Sequence, residues 1–283
     1  MTSEVRPFGP RETAAEAVLE AGHVLWLRDS FFAVELDERR LLTPSILAGA
    51  NKNVSFDFSA NRVSGASATG ESAERLRGML ARFSLSADGF VRRACPAYAD
   101  RLRRGRTSFR PVEIAGRESF WRKDDTRLHV DSFPATPVQG RRILRVFANV
   151  NPEGRPRAWR VGEDFDGLAA RFAPALRPPM PGTAMLLHAL HLTKTRRSAY
   201  DALMLQLHDR MKEDSAYQAT APQMPFEFPA GSAWIVFTDQ VSHAAMTGQY
   251  QLEQTFLLPV DAMLDEKQSP LRILERLKRR PLV

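Results

Sequence analysis

From residue 144 to residue 150 every even position of the chain is apolar. Leu144, Val146, Ala148 and Val150 fill the even positions, while Arg145, Phe147 and Asn149 take odd ones. Successive side chains of a strand point to opposite faces, so one face packs into an apolar interface and the other lines a polar space. A helix would scatter both sets around its axis. From about Thr107 onward, short β-like runs recur between Pro and Gly residues, over 108–114, 127–130, 184–187, 233–238 and 251–258. This texture predicts a mainly β protein with flanking helices, an α+β arrangement. Its expected core is a double-stranded β-helix of the jelly-roll or cupin type.

The N-terminal third reads differently. Helices are expected over 13–21 and 74–83, a strand over 27–36 and a small-residue loop over 64–72. A further helix is expected over 198–214, where Leu203, Leu207 and Met211 recur at helical spacing. Three regions follow: a helical and loop region packed on the core (1–90), the β core (91–260), and a basic amphipathic helix (261–283).

Composition bounds the function classes. With 283 residues, 43% of them hydrophobic and 26% charged, the chain can form one large domain of ordinary soluble character. No apolar run of ~18 residues is present and the first residues do not resemble a signal peptide. The single Cys95 cannot form an internal disulfide, so a cytosolic location is expected. The formal net charge of +7 attracts anions. Between 92 and 110 lie Arg92, Arg93, Arg101, Arg103, Arg104, Arg106 and Arg110 against Asp100 alone, and guanidinium forks suit carboxylates and phosphates.

The chemistry is carried by His129-Val130-Asp131 together with the distant His243. Two residues apart on a strand, His129 and Asp131 point to the same side. Two imidazoles and one carboxylate can occupy one face of Fe(II) and leave the opposite face for substrates. The triplet is short enough to arise by chance, so its context carries the assignment. If the odd face of 142–150 lines a barrel lumen, Arg145 points towards the metal and needs an anion there. The carboxylate tail of 2-oxoglutarate would supply one. In many 2-oxoglutarate oxygenases the last strand carries that cation, yet no basic residue occurs between His243 and Pro259. Arg145 therefore takes the task, with Arg127, which shares a strand face with His129, as the alternative. Thr126 adds a hydroxyl, and Gln254, the polar member of an apolar row, an inward amide.

His188 and His191 lack a third ligand, and His208 sits on a helix beside Asp209; all read as structural, as does Cys95. No nucleophile elbow, P-loop or dinucleotide fingerprint occurs, so neither nucleotide chemistry nor a nucleic-acid partner is expected. No protein partner is predicted. At the C-terminus, Ser269 and Pro270 open a helix with Leu271, Leu274 and Leu277 in a stripe beside Arg272, Arg276, Lys278, Arg279 and Arg280. Such a helix can lie on an anionic membrane or pack its leucines on the domain.

Four blocks, 127–134 (RLHVDSFP), 142–152 (RILRVFANVNP), 200–212 (YDALMLQLHDRMK) and 237–243 (FTDQVSH), resemble the Kdo hydroxylases. The resemblance spans most of the chain and is strongest over 107–260. It implies a dioxygenase on a jelly-roll fold that uses Fe(II), 2-oxoglutarate and O2. The implied reaction adds a hydroxyl at C3 of a 3-deoxy-octulosonic acid (Kdo) sugar on a lipid A precursor. The implied location is peripheral, at the anionic cytoplasmic face of the inner membrane. The metal ligands carry over to His129, Asp131 and His243, and the co-substrate cation to Arg145. Two other readings stay open: an oxygenase with a different substrate, and a non-catalytic jelly roll that binds an anionic sugar.

Overall fold

The computed structural model describes residues 2–9, 15–117 and 119–283. In chain order the elements are β1 (Val5–Pro7), α1 (Ala15–Glu20), β2 (Val24–Leu27), β3 (Val54–Asp57), β4 (Arg62–Ser64), α2 (Gly70–Ala94), β5 (Arg103–Arg110), β6 (Arg142–Asn149) and β7 (Arg157–Gly162). Then come α3 (Phe165–Phe172), α4 (Thr183–Ala189), α5 (Ala199–Glu213), α6 (Ser215–Thr220), β8 (Gln223–Phe228), β9 (Ala233–Phe237), β10 (His243–Thr247), β11 (Gln251–Leu258) and α7 (Pro270–Lys278). They build an eight-stranded sheet, β1-β2-β9-β6-β11-β5-β3-β4, and a three-stranded sheet, β10-β7-β8. The segment around His129 extends the small sheet by one bridge to His243.

The alternation in β6 decides how the layers stack. Leu144 and Val146 face α1 and α2 with Leu19, Ala87 and Val91, all buried. Phe147 and its large-sheet neighbour Trp234 face the small sheet, where they meet Trp159 and Phe228 in an aromatic cluster. Phe228 and Trp234 stack at 4.0 Å and Trp159 meets Trp234 edge-on at 5.5 Å. Helices α3, α5 and α7 cover the far side of the small sheet through Leu168, Leu203, Leu207 and Leu274. The molecule is thus mixed α/β, with a large sheet and flanking helices.

Several local expectations shift. The helix expected over 13–21 is α1, its first two positions lying outside the described residues. The helix expected over 74–83 runs the full length of α2, so a boundary at residue 90 would cut it. Residues 1–90 supply four strands as well as helices: β1-β2 join one edge of the large sheet and β3-β4 the other. The strand expected over 27–36 ends at Leu27, where Arg28-Asp29-Ser30 turns the chain away. The run at 184–187 forms helix α4, not a strand. Ala-Met-Leu-Leu has no β-branched residue and favours helix, and Gly182 before it takes a left-handed φ of 81°. At the C-terminus, Ser269 caps α7 by accepting from the Arg272 amide. Leu271, Ile273 and Leu274 are buried against the core, so this helix spends its apolar face on the domain.

Candidate metal centre

The parity of residues 128–131 creates the site. Leu128 and Val130 are buried under the helices, which turns His129 and Asp131 towards the space between the sheets. The His129 amide donates to the His243 carbonyl (3.0 Å) and the His243 amide to the His129 carbonyl (2.9 Å). This reciprocal pair places two residues 114 positions apart side by side, with ring centroids 4.7 Å apart. The Asp131 amide donates to Thr238 O (2.7 Å), which fixes the third side chain to the end of β9. One donor atom from each of His129, Asp131 and His243 lies within 4.8 Å of the others.

The surroundings prepare these side chains to bind a cation. His129 Nδ1 lies 2.8 Å from Arg127 O, and His243 Nδ1 lies 2.8 Å from Val241 O. A carbonyl only accepts, so each Nδ1 carries the proton and each Nε2 keeps its lone pair. Burial holds both imidazoles below their usual pKa, His129 most strongly, and the neighbouring His243 adds to the effect there. Burial opposes ionisation of Asp131, yet the Arg145 guanidinium beside it holds its carboxyl well below the usual range. The triad is therefore two neutral imidazoles and one carboxylate near neutral pH. Trp159 stacks on the His243 ring at 5.0 Å and restricts its rotation.

The triad lines a cavity of about 200 Å3 whose other walls include three arginines, Arg110, Arg145 and Arg157, and three aromatic rings. Arg145 lies 3.3 Å from Asp131 and 3.2 Å from Glu253. Arg110 lies 3.3 Å from Glu253 and 3.5 Å from Asp125. Arg157 donates to Gly248 O (3.0 Å); burial and the adjacent Arg110 guanidinium pull its pKa down to about 9, still cationic at neutral pH. Gly248 has φ +115°, and a Cβ there would sit 3.0 Å from Arg157 Cα, so only glycine lets the backbone come this close. The Nε atoms of Arg110 and Arg157 and Trp159 Nε1 are buried without a hydrogen-bond partner, and Asp131 Oδ2 has only the ion pair with Arg145 Nε. Native proteins leave few such atoms orphaned, so this group fits a cavity that receives a cation and an anion.

Not every residue singled out from the sequence comes to this cavity. Arg127 turns its guanidinium to Lys212 O (2.7 Å) and Asp124 (3.4 Å); only its carbonyl serves the site, through His129. The Thr126 hydroxyl donates to Asp124 Oδ1 (2.6 Å) in a local turn. Gln254 lies on the opposite face of β11, where it accepts from the Thr107 hydroxyl (2.7 Å) and donates to carbonyls at an irregularity between β11 and β5. The apolar even row of β11 faces the helices, so the polar odd row, Gln251, Glu253 and Thr255, faces inward. That parity signal was present in the sequence and pointed to Glu253. Arg110, Arg157 and Trp159 had no such signal, because β5 and β7 become neighbours of the triad only through sheet pairing. His208 pairs with Asp209 (3.0 Å) and also meets the His129 ring edge-on at 5.4 Å. His188 instead approaches Thr193 O (3.3 Å), within the α4 segment.

Residues 7–281 match the family model of 3-deoxy-D-manno-oct-2-ulosonic acid (Kdo) hydroxylase. The chain belongs to the Kdo hydroxylase family. Within that family, solved structures of KdoO, a non-heme Fe(II) α-ketoglutarate-dependent dioxygenase, are similar over nearly the whole length. The complex with α-ketoglutarate and Fe(III) is 43% identical, covers 99% of this chain and 98% of its own, and superposes with a TM-score of 0.95. The cobalt(II) complex is 44% identical, with coverage of 99% and 97% and a TM-score of 0.95. The apo structure is 44% identical, with coverage of 99% and 98% and the same TM-score. No curated protein matches the chain.

Proposed function

We propose that this protein is an Fe(II)- and 2-oxoglutarate-dependent dioxygenase that hydroxylates C3 of a Kdo sugar on a lipid A precursor. One observation carries the reading: two neutral imidazoles and a carboxylate converge within 4.8 Å inside a cavity lined by orphaned guanidinium nitrogens. His129, Asp131 and His243 are the residues to hold the metal, a donor set suited to Fe(II) with open positions. Arg157 and Arg110, more than Arg127 or Thr126, are placed to receive the carboxylates of 2-oxoglutarate. Arg145, the cation expected from the sequence, pairs with Asp131 and lines the same space. When bound, the metal with 2-oxoglutarate and O2 supplies the oxidising power to replace a hydrogen on an unactivated carbon, releasing succinate and CO2.

The protein's own part is binding, orientation and exclusion of water. The two backbone carbonyls hold the imidazole tautomers, and the guanidinium pair neutralises a dicarboxylate in a buried space. Phe133, Phe147 and Trp159 form an apolar wall of the cavity that keeps competing water out. The core is read as a double-stranded β-helix occupying residues 91–260. In chain order, β5, the His129 segment, β6, β7, β8, β9, β10 and β11 pass between large and small sheets as a jelly roll requires. Peripheral attachment to the cytoplasmic face of an anionic inner membrane belongs to the same proposal. Its support is the net charge of +7 and exposed Met185, Leu186, Leu190 and Leu192 on and beside α4, close to Arg177, Lys194, Arg196 and Arg197. No helix among the described residues is long and apolar enough to cross a membrane.

The deciding experiment is an anaerobic titration with Fe(II) and 2-oxoglutarate, followed by the weak visible charge-transfer absorption of the chelate. The wild-type protein is expected to develop the band. His129→Ala and His243→Ala are expected to lose both the band and iron-dependent consumption of 2-oxoglutarate. Retained turnover in either variant would remove the triad from the mechanism.

A further inference from the structure

A second cavity, of about 660 Å3, opens beside the metal pocket and shares Phe133, Arg145 and Glu253 with it. Five cationic and three acidic side chains line it, so its walls favour an anion. At one end stands Arg104 on β5. Its guanidinium lies over the Phe58 ring at 4.1 Å and reaches Asp88 at 3.0 Å. Asp88 also accepts from Arg92 (3.0 Å), so one carboxylate serves two guanidiniums. Arg104 Nε and Nη1 are buried and have no hydrogen-bond partner. Arg106, which donates to Ser55 Oγ (3.1 Å), and the exposed Lys194 complete the basic walls.

Strand order separates this end from the reaction. Arg145 is on β6 and Arg104 on β5, with β11 between them, which is roughly 10 Å at ordinary strand spacing. The carboxylate of the sugar under attack sits on the carbon next to the reacting one, so with C3 at the metal pocket it lies nearest Arg145, which both cavities share, and not Arg104, which lines the larger cavity alone. We infer that the Arg104 end of this cleft is a subsite for a second anionic group of the substrate. That group is a carboxylate or phosphate on the unit attached to the sugar being hydroxylated. This rests on the oxygenase reading above and adds a specificity-determining residue to it.

The test is calorimetric binding to the Fe(II)- and 2-oxoglutarate-loaded protein without oxygen. Three ligands are compared: the methyl glycoside of Kdo, a Kdo disaccharide with a second carboxylate, and Kdo linked to a phosphorylated glucosamine. Wild-type protein is expected to bind one of the two dianions at least about tenfold more tightly than the monoanion. The ligand that shows the gap identifies the group. Arg104→Gln is expected to remove most of the gap, with a change of less than about threefold for the monoanion; Arg104→Lys should keep part of it. Equal affinity of wild type for all three ligands, binding of none of them, or an Arg104→Gln variant weakened equally for all would overturn the inference. Failure of the oxygenase reading is seen separately, as absence of 2-oxoglutarate consumption under oxygen while the binding gap persists.

Discussion

Arg127, singled out from the sequence, and Arg157, which was not, show how two arginines take different tasks. Arg157 is buried at the cavity with an orphaned Nε, whereas Arg127 is paired with Asp124 and a carbonyl of α5. A charge-assisted hydrogen bond is worth ~1.5–3 kcal/mol, so Arg157→Met is expected to raise the KM for 2-oxoglutarate by roughly 10–100-fold. Arg127→Met is expected to change it by less than about threefold; equal effects in steady-state assays would refute the assignment. The triad also predicts a pH response. Both imidazoles have folded-state pKa values below the unfolded value of ~6.5, so the unfolded chain gains protons first as the pH drops. Stability of the metal-free protein should therefore fall from about pH 6.5 downward. Asp131, held low, adds a loss below about pH 4 in the same direction. Thermal midpoints between pH 8 and 5.5 check this: the slope should flatten in a His129→Gln, His243→Gln double variant.

At the scale of elements, β11 carries the main lesson about faces. Gln254 was expected inside from its place in the row Tyr250, Leu252, Gln254, Phe256, Leu258. The apolar row instead faces α1 and α2, because two packed helices bury more apolar surface than the small, arginine-lined cavity does. Gln254 satisfies the irregular pairing of β11 with β5, bonding Thr107 and three carbonyls. Gln254→Leu is expected to lower stability by ~1–3 kcal/mol, since it orphans those groups, and to leave the KM for 2-oxoglutarate unchanged. Denaturant unfolding together with steady-state kinetics separates the two effects; a raised KM at full stability would return Gln254 to the cavity. The helices illustrate a different limit. Ser269 with Pro270 starts α7 as the sequence suggested, and the structure adds a capping box of Ser198 and Asp201 at α5. The helix α4 was concealed because a short apolar run has no period that separates helix from strand.

For the whole molecule, the two ends of the chain close the structure. The N-terminal strands β1 and β2 extend one edge of the large sheet, while α7 seals the helical layer with Leu271, Ile273 and Leu274. Burial of each such side chain is worth ~1.5–3 kcal/mol, and folded domains are stable by only ~5–15 kcal/mol in total. Deletion after Asp265 is therefore expected to give an unfolded or aggregated product in circular dichroism. A folded, soluble truncation would show that α7 is dispensable. For the same reason, binding to anionic vesicles should depend on α4: Leu186→Asp with Leu190→Asp should reduce cosedimentation, whereas Arg279→Gln with Arg280→Gln should reduce it less. The strand of residues 142–149, the β-rich texture after Thr107, the helix caps and the His129-x-Asp131 pair were legible in the sequence. Each depends on side-chain parity or on hydrogen bonds within a few positions. His243 was also named as the third ligand, but its backbone pairing with His129, the arrival of Arg110 and Arg157, and the facing of β11 required the folded sheets. Strand pairing joins residues more than a hundred positions apart, and no local pattern specifies which face a packed helix will claim.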